Sequence, residues 1–95
     1  MSADIRDNQN SSQYETTVDG HTAYVAYDLE GDERIVFTHT VVPEELSGQG
    51  LASALVKHAL DDARSRNLKV VPQCSYVQTY LKKHPEYSDL ITTSA

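Results

Sequence analysis

The chain has 95 residues, 39% of them hydrophobic, a formal net charge of −6 and a single cysteine. A chain of that length supports one domain, which buries roughly 60–65% of its unfolded surface and leaves room for a ligand only in a surface cleft. The acidic balance argues against a nucleic-acid partner, and the single cysteine excludes an internal disulfide.

The first twelve residues are rich in Ser, Asn, Gln and Asp, and Ile5 is their only large aliphatic residue after the initiator. Such a segment buries little apolar surface, so we expect residues 1–12 to form a disordered tail. They lack the apolar stretch of a secretory signal, and no apolar run in the chain approaches the ~18 residues of a membrane span. We therefore expect a cytoplasmic protein without a membrane partner.

Three runs with the alternating pattern of half-buried strands follow, over residues 13–18, 21–29 and 33–42. Asp19-Gly20 between the first two is a strong hairpin signal. The inward face of the second run is Ala23, Val25, Tyr27 and Leu29. The inward face of the third run is Ile35, Phe37, His39 and Val41. These runs predict an antiparallel meander of three strands.

The second half of the chain predicts a helix, a strand and a second helix. Apolar residues at helical spacing mark an amphipathic helix over 51–66, and a short buried strand follows over 68–73. A strand–helix–strand crossover makes that strand parallel to the third. A helix over 76–83 ends at His84-Pro85. The fold class is α+β, with one domain over residues 13–91 and a C-terminal tail over 92–95.

The segment Ser47-Gly48-Gln49-Gly50-Leu51-Ala52 joins the third strand to the first helix. Glycine permits positive φ and lets a ligand approach the backbone amides. The first amides of a helix have no intrahelical partner and lie at its positive end, so a phosphate or pyrophosphate binds well there. The alternative is a plain tight turn, because Ser53 stands where a dinucleotide fingerprint has its third glycine and no Gly-Lys-Ser/Thr triplet exists.

The order of meander, glycine loop, helix, splayed strand and helix resembles the GNAT superfamily of acetyl-CoA-dependent N-acetyltransferases. The glycine loop matches the superfamily motif Gln/Arg-x-x-Gly-x-Gly/Ala at Gly50 and Ala52 and departs from it at Ser47. Further motifs resemble those of the short single-domain YjdJ-like subfamily. These are His39-Thr40-Val41-Val42-Pro43, Pro72-x-Cys74-Ser75-Tyr76, Tyr80-Leu81 and His84-Pro85-Glu86-Tyr87.

The resemblance implies that acetyl-CoA binds in a V-shaped opening between the third strand and the last. Its pantetheine would pair with the backbone there, its diphosphate would lie on the loop amides, and its thioester would point towards Cys74. The residues implied for coenzyme binding are Val41, Val42, Gly48, Gln49, Gly50, Leu51, Ala52, Ser53, Cys74 and Tyr76.

Three side chains are candidate catalytic residues. Cys74 precedes a helix and is a nucleophile, a proton donor to the leaving thiol, or a small buried filler. His39 is a general base or a partly buried structural histidine. Tyr80, like Tyr76, is a proton donor to the coenzyme thiolate or a packing residue.

Other polar residues carry weaker signals. Lys82 and Lys83 either meet the 3′-phosphate of the coenzyme or form a solvated face. The histidines lack paired metal-ligand spacing, so no metal site is predicted.

Three functions are compatible with this sequence. The first is an N-acetyltransferase acting on an amine acceptor, a class that the acidic charge favours. The second is an acyl-CoA-binding module with little or no catalysis, because the chain is shorter than larger superfamily members that add strands to the acceptor site. The third is a non-catalytic interaction domain in which the glycine loop is only a turn. We expect a monomer or a weak homodimer paired through the exposed edge of the meander.

Overall fold

The computed structural model describes residues 4–91, in which five strands form one sheet in the order β1-β2-β3-β4-β5. The elements are β1 (Arg6–Asn8), β2 (Gln13–Val18), β3 (His21–Glu30), β4 (Arg34–Val41), α1 (Leu51–Ser65), β5 (Lys69–Pro72) and α2 (Ser75–Lys83). Short 3₁₀ segments span Glu44–Leu46 and Pro85–Leu90. Four antiparallel strands and one parallel strand confirm the predicted α+β class. Residues 1–3 and 92–95 of the expected tails lie outside the described residues.

The N-terminal segment differs from the expected loose tail, because Arg6–Asn8 forms a fourth antiparallel strand against β2. The Asp7 carboxylate accepts a 2.6 Å hydrogen bond from the Tyr27 hydroxyl. It also lies 3.6 Å from the guanidinium of Arg66. Directed polar contacts hold this strand in place of apolar burial, which is why its composition did not reveal it.

The core lies between one face of the sheet and the two helices. The predicted hairpin between β2 and β3 is confirmed, and Asp19 (φ 51°) and Gly20 (φ 81°) both adopt the positive φ of a type I′ turn. Leu29, expected on the inner face, lies near the far end of β3 and is 47% exposed. No helix within residues 4–91 has the length and apolar character needed to cross a membrane.

A β-bulge interrupts the ladder between β3 and β4. Ala26 pairs with His39 and Tyr27 pairs with Phe37, so Thr38 has no residue opposite it. Side chains alternate along a strand, and one inserted residue reverses the facing of every residue beyond it. The second half of β4 therefore presents the opposite set of side chains to the core.

The bulge makes one prediction wrong, namely that His39 and Val41 share the buried face of the third strand. Both side chains are exposed, Val41 to 39%. Thr40 turns inwards instead and contacts Cys74 at the start of α2.

The parallel pairing of β4 with β5 is confirmed, and its register ends at Phe37 opposite Pro72. The Phe37 carbonyl accepts hydrogen bonds from the amides of Gln73 (3.1 Å) and Cys74 (2.9 Å). Beyond that point β4 continues to Val41 beside β3, while the segment after β5 turns into α2. The two parallel neighbours thus separate at the end of β4 that leads to the glycine loop.

Candidate functional site

The glycine loop owes its shape to two residues in the left-handed region. Gly48 has φ 81° and Gly50 has φ 73°. A Cβ built on either would meet no atom within 4 Å. Glycine is therefore needed here for its backbone conformation rather than for space, and the approach to the loop is open.

The N-terminus of α1 carries donors that its own helix does not use. Gly50 occupies the N-cap with no side-chain cap, and the first turn holds no acidic residue. The first internal bond runs from the Ala54 amide to the Gly50 carbonyl at 3.1 Å, so the amides before it have no intrahelical partner. Unpaired donors at the positive end of a helix suit an anion.

A cavity of ≈ 290 Å³ lies between this loop and the start of α2. Its lining is Val42, Leu46, Ser47, Gly48, Gly50, Leu51, Ala52 and Tyr76. The hydroxyls of Ser53 and Tyr76 lie 2.9 Å apart and join the first turns of the two helices. Most of the residues predicted for coenzyme binding thus surround one cavity or stand beside it.

A larger cavity of ≈ 710 Å³ lies on the other flank of α1, towards β1 and β2. It meets the smaller cavity at Gly50 and Leu51, and Gln49 also lines it. No residue of β4 or α2 lines it. The smaller cavity is lined by Val42, which follows β4, and by Tyr76 of α2, so we place the candidate site there.

The thiol of Cys74 lies where β4 and β5 separate. Cys74 is the N-cap of α2 and is only 8% exposed. Its amide donates to the Phe37 carbonyl at 2.9 Å, and its carbonyl accepts from the Gln78 amide at 3.0 Å. Its Sγ lies 3.2 Å from Oγ1 of Thr40. Backbone and side chain are thus both held by β4.

Comparison with known proteins identifies the family. A sequence model of the GCN5-related N-acetyl-transferase family matches residues 13–90. The chain belongs to that family. A solution NMR structure of a GCN5-like candidate N-acetyltransferase from Staphylococcus aureus matches with a TM-score of 0.74 and 27% identity, covering 98% of this chain and 91% of that one. The predicted GNAT membership and GNAT-like fold are confirmed, and they support acetyl transfer as the general activity. The YjdJ-like subfamily stays a prediction.

Animal relatives of this GNAT chain are longer than the part they share with it. Protein NATD1 of Xenopus tropicalis is 35% identical over 63 residues, covering 66% of this chain and 58% of the relative. Protein NATD1 of Homo sapiens is 36% identical over 63 residues, covering 66% of this chain and 56% of the relative. Protein NATD1 of Danio rerio is 34% identical over 71 residues, covering 73% and 64%. The chain therefore spans less than two thirds of these relatives.

His39 lies apart from the other candidate catalytic residues of the GNAT site. It is exposed, and it alternates along β4 with Thr40, the neighbour that faces Cys74. The interpretation as a partly buried structural histidine is wrong, and the role of general base stays a prediction.

Tyr80 packs within the second half of the GNAT fold. Its ring stacks on His84 with centroids 4.1 Å apart and lies 6.4 Å from the ring of Tyr87. Burial raises the pKa of Tyr80, so the phenol stays protonated at neutral pH. These contacts favour the packing interpretation, while proton donation by Tyr80 stays a prediction. Lys82 and Lys83 are exposed on the last turn of α2, and their predicted contact with a 3′-phosphate stays a prediction as well.

The residue that sequence reasoning missed is Thr40. The alternating pattern placed it on the solvent side of β4, and the bulge at Thr38 reverses that assignment. Neither glycine nor proline marks the bulge in Phe37-Thr38-His39, so the local sequence held no signal for it.

Proposed function

We propose that this chain is an acetyl-CoA-dependent N-acetyltransferase that transfers an acetyl group to a primary amine. The observation that carries the proposal is the uncapped N-terminus of α1, preceded by Gly48 and Gly50 and placed beside the ≈ 290 Å³ cavity where β4 parts from β5. Family membership supplies the reaction class, and the geometry of this loop supplies the donor site.

The residues present fit the diphosphate of coenzyme A. A diphosphate needs several hydrogen-bond donors and no competing carboxylate. The amides of the segment 49–52 supply the donors, and the first turn of α1 has no acidic residue. The paired hydroxyls of Ser53 and Tyr76 add polar groups at the cavity wall. The backbone of Val41 and Val42, beyond the last β5 partner of β4, is the proposed partner of the pantetheine amides.

When bound, acetyl-CoA supplies an activated acetyl thioester. In the proposed transfer the acceptor nitrogen bonds to the acetyl carbon, the carbon–sulfur bond breaks, the nitrogen loses a proton and the leaving sulfur gains one. The amide of Val41 or Val42 is the proposed donor to the developing oxyanion.

Separate groups are proposed to handle these two protons. His39, exposed on β4, would accept the proton of the amine, which requires the acceptor to approach from the side of β4 opposite the Thr40–Cys74 contact. Cys74 would return a proton to the leaving sulfur or act itself as acyl acceptor, and Tyr80 is the further candidate donor.

An acyl-CoA-binding module with little or no catalysis is the second candidate. It is favoured by the separation of the candidate catalytic groups: His39 is on the opposite side of β4 from the Thr40–Cys74 contact, and Tyr80 stacks on His84. A binding module needs the glycine loop and the cavity but no such constellation.

The first experiment is a titration of ¹⁵N-labelled protein with acetyl-CoA, followed by amide chemical shifts. We expect the largest changes at the amides of residues 48–52. If saturating acetyl-CoA leaves these amides undisturbed, both candidate functions are wrong.

The second experiment separates catalysis from binding. Thiol release from acetyl-CoA is followed with a panel of primary amines, with Cys74→Ala and Cys74→Ser beside the natural chain. Amine-dependent thiol release indicates the transferase. Coenzyme binding without release by any amine indicates the module.

A further inference from the structure

We infer that a cleft beside β1 is a second ligand site, separate from the coenzyme cavity, and that it binds a small primary amine in the protonated form. This β1 cleft consists of the ≈ 710 Å³ cavity and a neighbouring cavity of ≈ 230 Å³, whose linings share Asp4 and Thr17. The inference goes beyond the proposed function, and its test needs no coenzyme.

Thr16 on β2 carries a hydroxyl that the fold leaves without a partner. The residue is 2% exposed, and its Oγ1 forms no hydrogen bond within residues 4–91. Thr16 lines the ≈ 230 Å³ cavity, and its neighbour Thr17 lines both cavities. An unpaired buried hydroxyl costs free energy that a polar group of a ligand can recover. The Thr16 hydroxyl is therefore a candidate acceptor for a ligand donor.

The charges around the β1 cleft favour a cation over an anion. Its charged side chains are three carboxylates and two cations, namely Asp4, Glu15, Asp61, Arg6 and Lys57. With His58 neutral, one negative charge is uncompensated, and the chain as a whole carries −6. A monovalent cation would neutralise the cleft, whereas an anion would be repelled by the excess charge.

Asp4 is the carboxylate best placed to bind that cation, because the other two have neighbours. Asp61 is paired with Lys57 at 2.9 Å. Glu15 lies opposite Arg6 on the adjacent strand and accepts two hydrogen bonds from side-chain amides, at 2.7 and 3.1 Å. Among the residues that the structure describes, Asp4 takes part in no ion pair. Its charge is thus the uncompensated one.

A primary ammonium on an alkyl stem matches both the polar and the apolar parts of the cleft. The ammonium has three N–H donors, and the Asp4 carboxylate and the Thr16 hydroxyl are acceptors. The ≈ 710 Å³ cavity has an apolar wall made of Ile5, Val18, Leu51 and Ala54. A short alkyl stem would lose its contact with water against this wall, which adds affinity that an inorganic cation would not gain.

The β1 cleft adjoins the coenzyme loop but lies apart from the proposed acceptor position. Gly50 and Leu51 line both the ≈ 710 Å³ and the ≈ 290 Å³ cavities. Within residues 4–91, no residue of β4 or α2 lines the β1 cleft, and His39 lies on β4. An amine bound at Asp4 is therefore a ligand held beside the loop, distinct from the amine that His39 would deprotonate.

The experiment is a titration of ¹⁵N-labelled protein at pH 7 with hexylammonium, without coenzyme, followed by amide chemical shifts. We expect saturable shifts at Thr17, Val18 and Ala54. Hexanol, the neutral analogue, should bind about two- to fivefold more weakly, and hexanoate more weakly still. Butylammonium should lose up to about fourfold in affinity for each methylene removed.

Two variants test the polar contacts. Asp4→Asn should weaken hexylammonium binding about two- to fivefold and leave hexanol binding unchanged. Asp32→Asn is the matched control, because Asp32 is an exposed carboxylate in the turn between β3 and β4 and lines neither cavity. Thr16→Val should also weaken hexylammonium binding without lowering the Tm, since the hydroxyl that it removes has no partner.

A further arm identifies the source of the ammonium. Nα-acetyl-lysine N-methylamide represents a lysine side chain of another protein, and tighter binding of this compound than of hexylammonium would assign the ligand to such a side chain. Either result supports an ammonium site.

Three results would overturn the inference. These are the absence of shifts at the cleft, equal affinity for hexanol and hexylammonium, and equal effects of Asp4→Asn and Asp32→Asn. Circular dichroism checks folding, and Asp4→Asn alone decides if Thr16→Val does not fold. If acetyl-CoA leaves the loop amides undisturbed while hexylammonium binding depends on Asp4, the proposed function is wrong and the amine site stands.

Discussion

The hydroxyl of Tyr27 donates a 2.6 Å hydrogen bond to the carboxylate of Asp7 and so ties the edge strand β1 to the centre of the sheet. A second bond of this kind joins Tyr14 to Asp62 on α1 at 2.5 Å, and Arg66 lies between the two carboxylates. Burial and the neighbouring carboxylate raise the pKa of Tyr27 well above its ordinary value of 10.0. The folded chain thus strongly prefers the neutral phenol.

This preference predicts an alkaline limit to stability. The pKa of Tyr27 is higher in the folded than in the unfolded chain. The neutral phenol therefore contributes fully to the free energy of unfolding below pH 10, and this contribution is lost as the pH rises above that value. Tyr27→Phe should reduce the loss of unfolding free energy between pH 9 and pH 11. Urea unfolding at a series of pH values measures it.

Tyr24→Phe is the matched control, because Tyr24 lies on the same strand and points to the other face. We expect Tyr24→Phe to lose as much free energy of unfolding between pH 9 and pH 11 as the natural chain does. If Tyr27→Phe loses as much stability as Tyr24→Phe over the same interval, the buried pair does not set the alkaline limit.

The lowered pKa of Asp61 predicts a loss of stability at low pH. Burial acts to raise the pKa of Asp61, but the hydrogen bonds from the Tyr87 hydroxyl (2.7 Å) and Lys57 (2.9 Å) outweigh it and lower the pKa below its ordinary 3.8. Ionised Asp61 therefore contributes to the free energy of unfolding above pH 3.8, and this contribution is lost as the pH falls through the lowered pKa. Tyr87→Phe should lower the free energy of unfolding by about 1 kcal/mol at pH 7, since Asp61 is half exposed and its hydrogen bonds are partly screened by solvent.

Urea unfolding from pH 2 to pH 7 tests this prediction. The difference between the natural chain and Tyr87→Phe should shrink as Asp61 becomes protonated. A difference of equal size at both ends of the range would mean that Tyr87 acts through packing alone.

Periodicity and turn chemistry were enough to predict most of the fold. The alternation in β2 and β3, the Asp19-Gly20 turn and the amphipathic stripe of α1 are local features, and each is confirmed. The parallel strand followed from the handedness of crossovers. The glycine loop was predictable as a junction because two glycines precede the helix directly.

The features that the sequence did not predict have a common physical cause, because each depends on contacts between separate segments of the chain. β1 is held by Tyr27 and Arg66, far along the chain from Asp7. The bulge at Thr38 depends on how β4 pairs with β3, and no residue at the bulge announces it. The Thr40–Cys74 contact follows from that bulge, so it was beyond the reach of local patterns.

Replacing a loop glycine by alanine tests the glycine loop. Gly50→Ala forces a side chain into φ 73° and should destabilise the fold by roughly 1–2 kcal/mol. We also expect weaker acetyl-CoA binding, because the strained loop reorients the amides at the start of α1. Urea unfolding and the amide titration measure the two effects.

Gly31→Ala is the matched control, since Gly31 has φ 64° in a turn at the far end of β3 and also has open space around its Cα. It should carry a similar stability cost without loss of affinity. Equal loss of affinity in both variants would indicate that the loop acts only through global stability.

His39→Gln tests the proposed base. His39 is exposed, so the change should alter the unfolding free energy by less than about 0.5 kcal/mol. Loss of general-base catalysis should lower kcat with the preferred amine by about 100-fold or more, with the KM for acetyl-CoA unchanged. His58→Gln is the control, because His58 is also exposed and lines the ≈ 710 Å³ cavity on the other flank of α1. Loss of activity in His58→Gln with full activity in His39→Gln would indicate that the acceptor binds in that larger cavity and would contradict approach from the side of β4 that carries His39.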